Sequence, residues 1–149
     1  MRTPRQILTD ARVIAVVGAS RDPRKTAHSV PALLHRHGWR VIAVNPYADT
    51  LFGERAYRTL ADIPEPVDLV NVFRPSEDAA GVVRDAVAAG APAVWLQSGI
   101  VSEEGRRIAS EAGIDYVEDY CIAVERAVAG LSRTGGAPRD PNYTDGAPS

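Results

Sequence analysis

The sequence has few of the features that mark exported, membrane-spanning or nucleic-acid-binding proteins. It contains a single cysteine, Cys121, which cannot form a disulfide within the chain and so fits a reducing compartment. No apolar run approaches the roughly 18 residues that a membrane-spanning helix needs. The amino-terminal stretch MRTPRQILTDARV carries charges throughout and lacks the apolar centre of a secretory signal. We therefore expect a cytoplasmic protein without membrane attachment.

The sequence also lacks an excess of charge of either sign. Lys and Arg number 17 against 19 Asp and Glu, and the net charge of −2 excludes a nucleic-acid-binding protein that acts through overall basicity. No Ser/His/Asp set, metal-ligand spacing or carboxylate pair stands out, and the three histidines, His28, His35 and His37, all fall in one segment. We therefore predict no catalytic residue and no metal site.

Five short apolar runs alternate with stretches of helical periodicity. The first run, VIAVVG, is wholly apolar, as expected of a strand buried on both faces of a parallel sheet. This alternation predicts a single Rossmann-like α/β domain with a doubly wound, parallel, five-stranded sheet. Right-handed crossovers favour the strand order 3-2-1-4-5. The predicted strands are 13–18, 40–45, 67–73, 93–98 and 114–119.

The helices are predicted from capping residues and glycine stops. Proline lacks an N–H and suits a first helical turn, so Pro31 predicts a helix over 29–37 with its N-cap at His28 or Ser29. The other predicted helices cover about 4–10, 76–89, 102–112 and 121–131.

The third predicted strand contains two polar residues, Asp68 and Asn71. They favour a position for this strand near the edge of the sheet.

The carboxyl-terminal segment differs in composition from the rest of the chain. The stretch RTGGAPRDPNYTDGAPS contains no Val, Ile, Leu or Phe, and so cannot bury enough apolar surface to offset chain entropy. We predict a domain over 1–132 followed by a flexible Gly/Pro-rich tail over 133–149.

The loop after the first strand has the small residues of a phosphate-binding loop. Ligands of doubly wound sheets bind at the carboxyl ends of the strands, and Gly18-Ala19-Ser20 follow the first strand directly. A helix amino terminus comes next, which favours an anion. Three basic residues lie beside this loop and are candidate phosphate contacts: Arg21, Arg24 and Lys25.

The basic residues further along are interpreted differently. Arg36 and Arg40 belong to the same basic segment as Arg21, but we interpret them as ordinary solvated surface.

The sequence disfavours a dinucleotide-binding site. The loop lacks the second and third glycines of G-x-G-x-x-G, and the second strand ends in Asn45-Pro46 where NAD sites usually have an acid for the ribose.

Five motifs in fixed order resemble the stand-alone CoA-binding domain proteins, which are similar to the amino-terminal CoA-binding domain of the succinyl-CoA synthetase alpha subunit. The resemblance runs from about Val13 to Arg126. The chain departs from it at Asp119-Tyr120-Cys121, where family members often have Asp-Arg-Cys. The motifs are VVGAS, VPALLHRHGWRVIAVNP, FGERAYRTLADIPEPVDLVNVFRPS, VWLQSGI and DYCIAVE.

The resemblance implies a Rossmann-like fold that binds coenzyme A or an acyl-CoA. It places the phosphates at the loop after the first strand, the adenosine beside the loops after the second and third strands, and pantetheine beside the loop after the fourth. For His28 a capping or packing role is equally open. The implied contact residues are Gly18, Ala19, Ser20, Arg24, Lys25, His28, Asn45, Pro46, Phe73, Arg74, Pro75, Gln97, Ser98 and Gly99.

Three functional hypotheses are compatible with these observations. The first is non-catalytic binding of CoA or an acyl-CoA, whose ribose 3′-phosphate suits nearby cations better than a ribose-binding carboxylate. The second is an NAD(P)- or other nucleotide-binding module. The third is a subunit that supplies CoA to a larger acyl-CoA enzyme. We expect no counterpart of the histidine domain that passes phosphate in succinyl-CoA synthetase, because 149 residues leave no room for it.

Overall fold

The structure is a computed structural model that describes residues 1–133, so the predicted tail lies outside the described residues except for Arg133. No helix in this part of the chain is long and apolar enough to cross a membrane. A single 3₁₀ turn covers Leu60–Asp62. The helices and strands are α1 (Pro4–Asp10), β1 (Val13–Val17), α2 (Thr26–Arg36), β2 (Arg40–Val44), β3 (Thr50–Leu51), β4 (Glu54–Arg55), β5 (Leu69–Val72), α3 (Ser76–Ala88), β6 (Ala93–Leu96), α4 (Glu103–Ala112), β7 (Asp115–Val117) and α5 (Ile122–Ala129).

The predicted fold class is confirmed, but the predicted strand order is wrong. The main sheet is parallel and five-stranded with the order β2-β1-β5-β6-β7, which is 2-1-3-4-5 when only its own strands are counted, instead of 3-2-1-4-5. The reason lies at the outer edge of β2. There Tyr57 donates its N–H to the Ala43 carbonyl oxygen and accepts from the Asn45 N–H, each at 2.9 Å. Because this edge is occupied, the third long strand pairs with the other side of β1.

The third long strand is therefore central, and its predicted position near an edge is also wrong. All four residues of β5 are buried. Asn71 is fully buried because its side-chain nitrogen donates to the Trp95 carbonyl oxygen at 3.1 Å and to Gln97 Oε1 at 3.2 Å. Asp68 precedes the strand and accepts the N–H groups of Arg12 and Val13. Asp68 is thus satisfied by backbone N–H groups, and Asn71 is satisfied at its side-chain nitrogen, whereas its buried Oδ1 has no hydrogen-bond partner within residues 1–133.

Helices cover both faces of the sheet. One core cluster lies between the sheet and α1, α2 and α5, and it contains both tryptophans, Trp39 and Trp95. The second cluster lies beneath α3, the 3₁₀ turn and α4. Trp39 donates its indole N–H to the Leu8 carbonyl oxygen, so the buried indole is satisfied.

Helix α2 begins three residues before the predicted start. Its N-cap is Lys25, and Pro31 lies inside the helix rather than in its first turn. A proline at this position leaves the carbonyl of residue 27 without its usual helical donor. The Ala27 carbonyl oxygen instead accepts the N–H of Ser20 at 3.0 Å, so the proline is accommodated by a contact with the loop after β1.

Arg40 has a structural role that the surface interpretation missed. Its guanidinium pairs with Glu54 at 3.0 Å and with Glu65 at 2.6 Å, and its side chain is only 26% exposed. Glu54 belongs to the β3–β4 hairpin, whose turn is formed by Phe52 and Gly53, both at positive φ. The ion pair with Glu54 attaches the hairpin to the start of β2. Arg36 is exposed, as predicted.

Candidate functional site

The loops at the carboxyl ends of the strands form one continuous edge. The strand order reverses between β1 and β5, which is where doubly wound sheets bind their ligands. The loops that meet there begin at Gly18 and Phe73, and the Asn45 and Gln97 loops flank them on either side. The corrected strand order thus brings the Gly18 loop directly beside the Phe73 loop, with no strand between them.

Gly18 is required by both its backbone conformation and its neighbour. Its φ is +89°, which lies in the region that favours glycine. An added Cβ would lie 3.0 Å from the Phe73 carbonyl oxygen and 3.2 Å from Arg74 Cδ. The Gly18 N–H donates to the Val44 carbonyl oxygen at 3.2 Å. The single glycine of the loop therefore permits the close approach of the β1 and β5 loops.

The polar groups of Ser20 are largely used inside the protein. The Ser20 N–H donates to the Ala27 carbonyl oxygen, and the Ser20 carbonyl oxygen contacts His28 Nδ1 at 2.7 Å. Two consecutive residues of α2 therefore hold both backbone polar groups of Ser20. The Asp22 N–H donates to Ser20 Oγ at 3.0 Å. The hydroxyl proton of Ser20 is still available to donate to a ligand.

His28 lies beside this loop and beneath the hairpin. Because a carbonyl oxygen only accepts, Nδ1 carries a proton and donates to Ser20, and within residues 1–133 no hydrogen bond engages Nε2. The ring of Phe52 lies 5.2 Å from the His28 ring, centroid to centroid. Sequence reasoning missed Phe52, because the only local signal is Gly53, which indicates a turn but not what the turn covers.

The amino terminus of α2 provides the electropositive part of the site. Within the described residues no side chain caps this helix, so N–H groups of its first turn are open to an anion. Arg24 is bound to Asp22, with Nη2 to Oδ2 at 3.0 Å, and these hydrogen bonds lower the pKa of Asp22 below its ordinary value. Lys25 is exposed at the N-cap position itself.

Asn45 links two loops from a buried position. Its side-chain nitrogen donates to the Ala19 carbonyl oxygen at 2.7 Å. Its side-chain oxygen accepts the N–H groups of Tyr47 at 2.7 Å and Ala48 at 2.8 Å. The structure therefore shows Asn45 holding the β1 and β2 loops together, and contact between its side chain and a ligand stays a prediction.

Gln97 and the Gly99 loop are held in a similar way. The buried Gln97 Oε1 accepts the Ile122 N–H at 3.0 Å, which anchors the start of α5. Asp119, at a φ of +54°, accepts the Gly99 N–H at 2.7 Å. Sequence reasoning did not assign Asp119 this role, because the contact spans twenty residues and the aspartate stands in an ordinary acidic stretch.

Tyr120, which stands where the resemblance to the CoA-binding domain proteins leads us to expect arginine, packs against the core. Tyr120 stacks on Trp95, with ring centroids 5.8 Å apart, and donates its hydroxyl to Glu125 Oε1 at 3.0 Å. Desolvation and the Glu125 carboxylate raise the pKa of Tyr120 above its ordinary value. Cys121 is half-buried against the same core cluster and is the N-cap of α5.

The other predicted contact residues differ in exposure. Phe73 is half-buried against the α2 side of the core, and Ala19 is buried. Arg74 extends into solvent but pairs with Asp78 at 2.9 Å. Four further predicted residues are exposed along the edge: Pro46, Pro75, Ser98 and Gly99. The structure thus brings the predicted residues to one edge of the sheet, with Asn45 and Gln97 beneath the surface.

These features define a Rossmann-like α/β domain with a glycine-dependent loop at its topological switch point. The model of the CoA binding domain family matches residues 12–127, and the chain belongs to this family. Membership gives the protein a CoA-related role.

Two similar proteins have nearly the same length as the matched region. The Bacillus subtilis protein YneT is 40% identical over 124 residues, which cover 83% of this chain and 92% of that protein. The solved structure of cell-free ID.343 from Thermus thermophilus is 43% identical with a TM-score of 0.80, and the match covers 83% of this chain and 94% of that one. The domain therefore also occurs in other chains of similar size.

The domain also occurs within a larger ligase chain. The alpha subunit of the ADP-forming acetate–CoA ligase II of Pyrococcus furiosus is 29% identical over 134 residues. The match covers 83% of this chain but only 29% of the ligase subunit. The chain therefore spans less than a third of that relative.

Proposed function

We infer that this protein binds coenzyme A or an acyl-CoA without catalysing a reaction on it, as a cytoplasmic protein. The observation that carries the proposal is the open amino terminus of α2 beside the Gly18–Ser20 loop, at the switch point of a domain that belongs to a CoA-binding family. A helix amino terminus with free N–H groups suits a phosphate, and a glycine at positive φ lets the backbone approach it.

The cations support CoA over an uncharged ligand. Lys25 and Arg24 lie at the start of α2. His28 Nε2 is a further polar group near the loop. Phosphate groups are bound by such charge-assisted contacts. At the position where NAD sites usually carry an acid, Asn45 is buried and bound to Ala19, so the β2 loop offers no carboxylate to a ribose at that point.

A turnover assay tests the absence of catalysis. Acetyl-CoA is incubated with the protein, and free thiol is measured over several hours together with bound ligand by equilibrium dialysis. We expect saturable binding and no thiol release above a protein-free control. Sustained thiol release that scales with protein concentration would contradict a purely binding function, and absence of any binding would contradict the CoA proposal itself.

Lys25 is the cation that we expect to matter most for affinity. Arg24 is already paired with Asp22, whereas Lys25 is exposed at the N-cap of α2. Lys25→Ala should weaken CoA binding about fivefold, since an exposed charge contact contributes on the order of 1 kcal/mol. The measurement is calorimetric titration at low and high salt, and the difference between wild type and variant should shrink as salt is added.

Arg36→Ala is the matched control for Lys25→Ala. Arg36 is exposed and lies at the opposite end of the same helix. Its removal changes the net charge equally but leaves the amino terminus of α2 intact, so CoA affinity should stay within about twofold of wild type. Equal losses of affinity in the two variants would show that overall charge, and not a contact at the N-cap, governs binding.

The third hypothesis, a CoA-supplying subunit, is favoured by one specific finding. The domain occurs as part of an alpha subunit in the Pyrococcus furiosus ligase relative. Under this alternative the protein would purify with a stoichiometric partner from its native cells. A single species of one chain type in native mass spectra favours independent binding.

A further inference from the structure

An internal proline of α2 and the ligand loop share one backbone carbonyl. In a regular helix the N–H of residue 31 would donate to the carbonyl oxygen of residue 27. Residue 31 is Pro31, which has no N–H, and the Ala27 carbonyl oxygen accepts the Ser20 N–H at 3.0 Å. The acceptor that the helix does not use is therefore the one that holds the loop.

The proline ring also acts on the direction of this carbonyl. A proline inside a helix crowds the carbonyl four residues earlier and turns it away from the helix axis. Pro31 is buried in α2, so its ring has a fixed position against the core. Both effects, the missing donor and the crowded carbonyl, favour an outward Ala27 oxygen that faces the loop after β1.

A second hydrogen bond joins α2 to the loop after β1, and it comes from the residue next to Ala27. His28 follows Ala27 and donates its Nδ1 proton to the Ser20 carbonyl oxygen at 2.7 Å. Both backbone groups of Ser20 are thus fixed by neighbouring residues of α2. The orientation of Ser20 determines where its hydroxyl and the adjoining Gly18-Ala19 peptide point.

We propose that Pro31 is a positioning residue for the ligand loop, acting through the Ala27 carbonyl on Ser20. The effect on Ser20 is a property of the unliganded protein. The effect on CoA binding rests on the proposed function. With an N–H restored at position 31, the helix competes for the Ala27 oxygen, the Ser20 bond weakens, and the loop loses its fixed arrangement.

Two substitutions test the proposal together. Pro31→Ala and Pro31→Val both restore the N–H, while valine retains more of the buried volume than alanine. Hydrogen exchange of the Ser20 amide is followed by NMR in the free protein, and CoA affinity by calorimetry. We expect Ser20 to exchange about tenfold faster and CoA to bind about three- to tenfold more weakly in both variants. The midpoint of denaturant unfolding should stay the same or rise, because alanine favours a helix interior over proline.

Pro4→Ala is the matched control. Pro4 is the first residue of α1, where an N–H has no helical acceptor, so the N–H that alanine restores there competes for no helical carbonyl and should change neither measurement. Unchanged Ser20 exchange in both Pro31 variants would overturn the proposal, and so would faster exchange with unchanged CoA affinity. If wild type binds no CoA, the proposed function fails, and the exchange data still decide whether Pro31 controls Ser20.

Discussion

Replacing Gly18 with alanine should lower the free energy of unfolding by about 3 kcal/mol. A non-glycine residue at this φ of +89° is strained by roughly 1–3 kcal/mol, and its Cβ would lie 3.0 Å from the Phe73 carbonyl oxygen. Relief of that contact requires the β1 and β5 loops to separate, which adds about 1–2 kcal/mol of overpacking. Denaturant unfolding measures the total. CoA affinity should also fall, because the separated loops form the proposed phosphate site.

Gly99→Ala separates the two contributions to this loss. Gly99 has nearly the same φ, +85°, but no neighbouring atom lies within 4 Å of the Cβ that alanine would add. This control carries the backbone strain alone, so it should be destabilised by about 1 kcal/mol. Equal destabilisation of the two variants would show that the approach of Gly18 to Phe73 has no energetic consequence.

Asn45→Ala should destabilise the protein by about 3 kcal/mol. The side chain makes three hydrogen bonds from a buried position, and each such bond contributes about 1 kcal/mol. Alanine also leaves the Ala19 carbonyl oxygen and the Ala48 N–H without these partners. Ser98→Ala, at an exposed residue of the same sheet edge, should change the unfolding free energy by less than about 0.5 kcal/mol.

The pH dependence of the stability of Asn45→Asp tests the hydrogen bond that the Asn45 side-chain nitrogen donates to the Ala19 carbonyl oxygen. Aspartate keeps an acceptor for Tyr47 and Ala48, but its carboxylate faces the Ala19 carbonyl oxygen and cannot donate. Burial and this repulsion raise the pKa of the new carboxyl in the folded state. Its destabilisation should therefore be largest near pH 7 and shrink as the pH falls towards about 5, where the protonated carboxyl donates again. A constant difference across this range would contradict the donor role.

Local sequence patterns predicted the five long strands and the five helices, but neither the β3–β4 hairpin nor the order of the strands. The continuous apolar run of β1 and the acidic start of α3 predicted both elements to within one residue. The order of the strands depends on Tyr57, which pairs with the edge of β2 from a segment that has no strand-like periodicity. Such a long-range pairing has no local signal, so a prediction based on crossover handedness alone chose the wrong neighbour for β1.

The same limit applies to the candidate site. The sequence predicted which loops meet at the ligand edge, because that follows from strand ends in a parallel sheet. It did not predict that the Asn45 side-chain nitrogen and Gln97 Oε1 are occupied by internal hydrogen bonds, since their partners Ala19 and Ile122 lie about twenty-five residues away. The rule that proline starts helices also misplaced the start of α2, because Ser20 compensates for the missing bond from Pro31.

Calorimetric titration of the protein with CoA, dephospho-CoA and NAD, side by side, tests the central claim most directly. Dephospho-CoA lacks only the ribose 3′-phosphate, so it isolates the contribution of the cations near α2. We predict that CoA binds most tightly, that dephospho-CoA binds at least about tenfold more weakly, and that NAD binds more weakly still. Preferential binding of NAD, or no binding of CoA, would contradict the account.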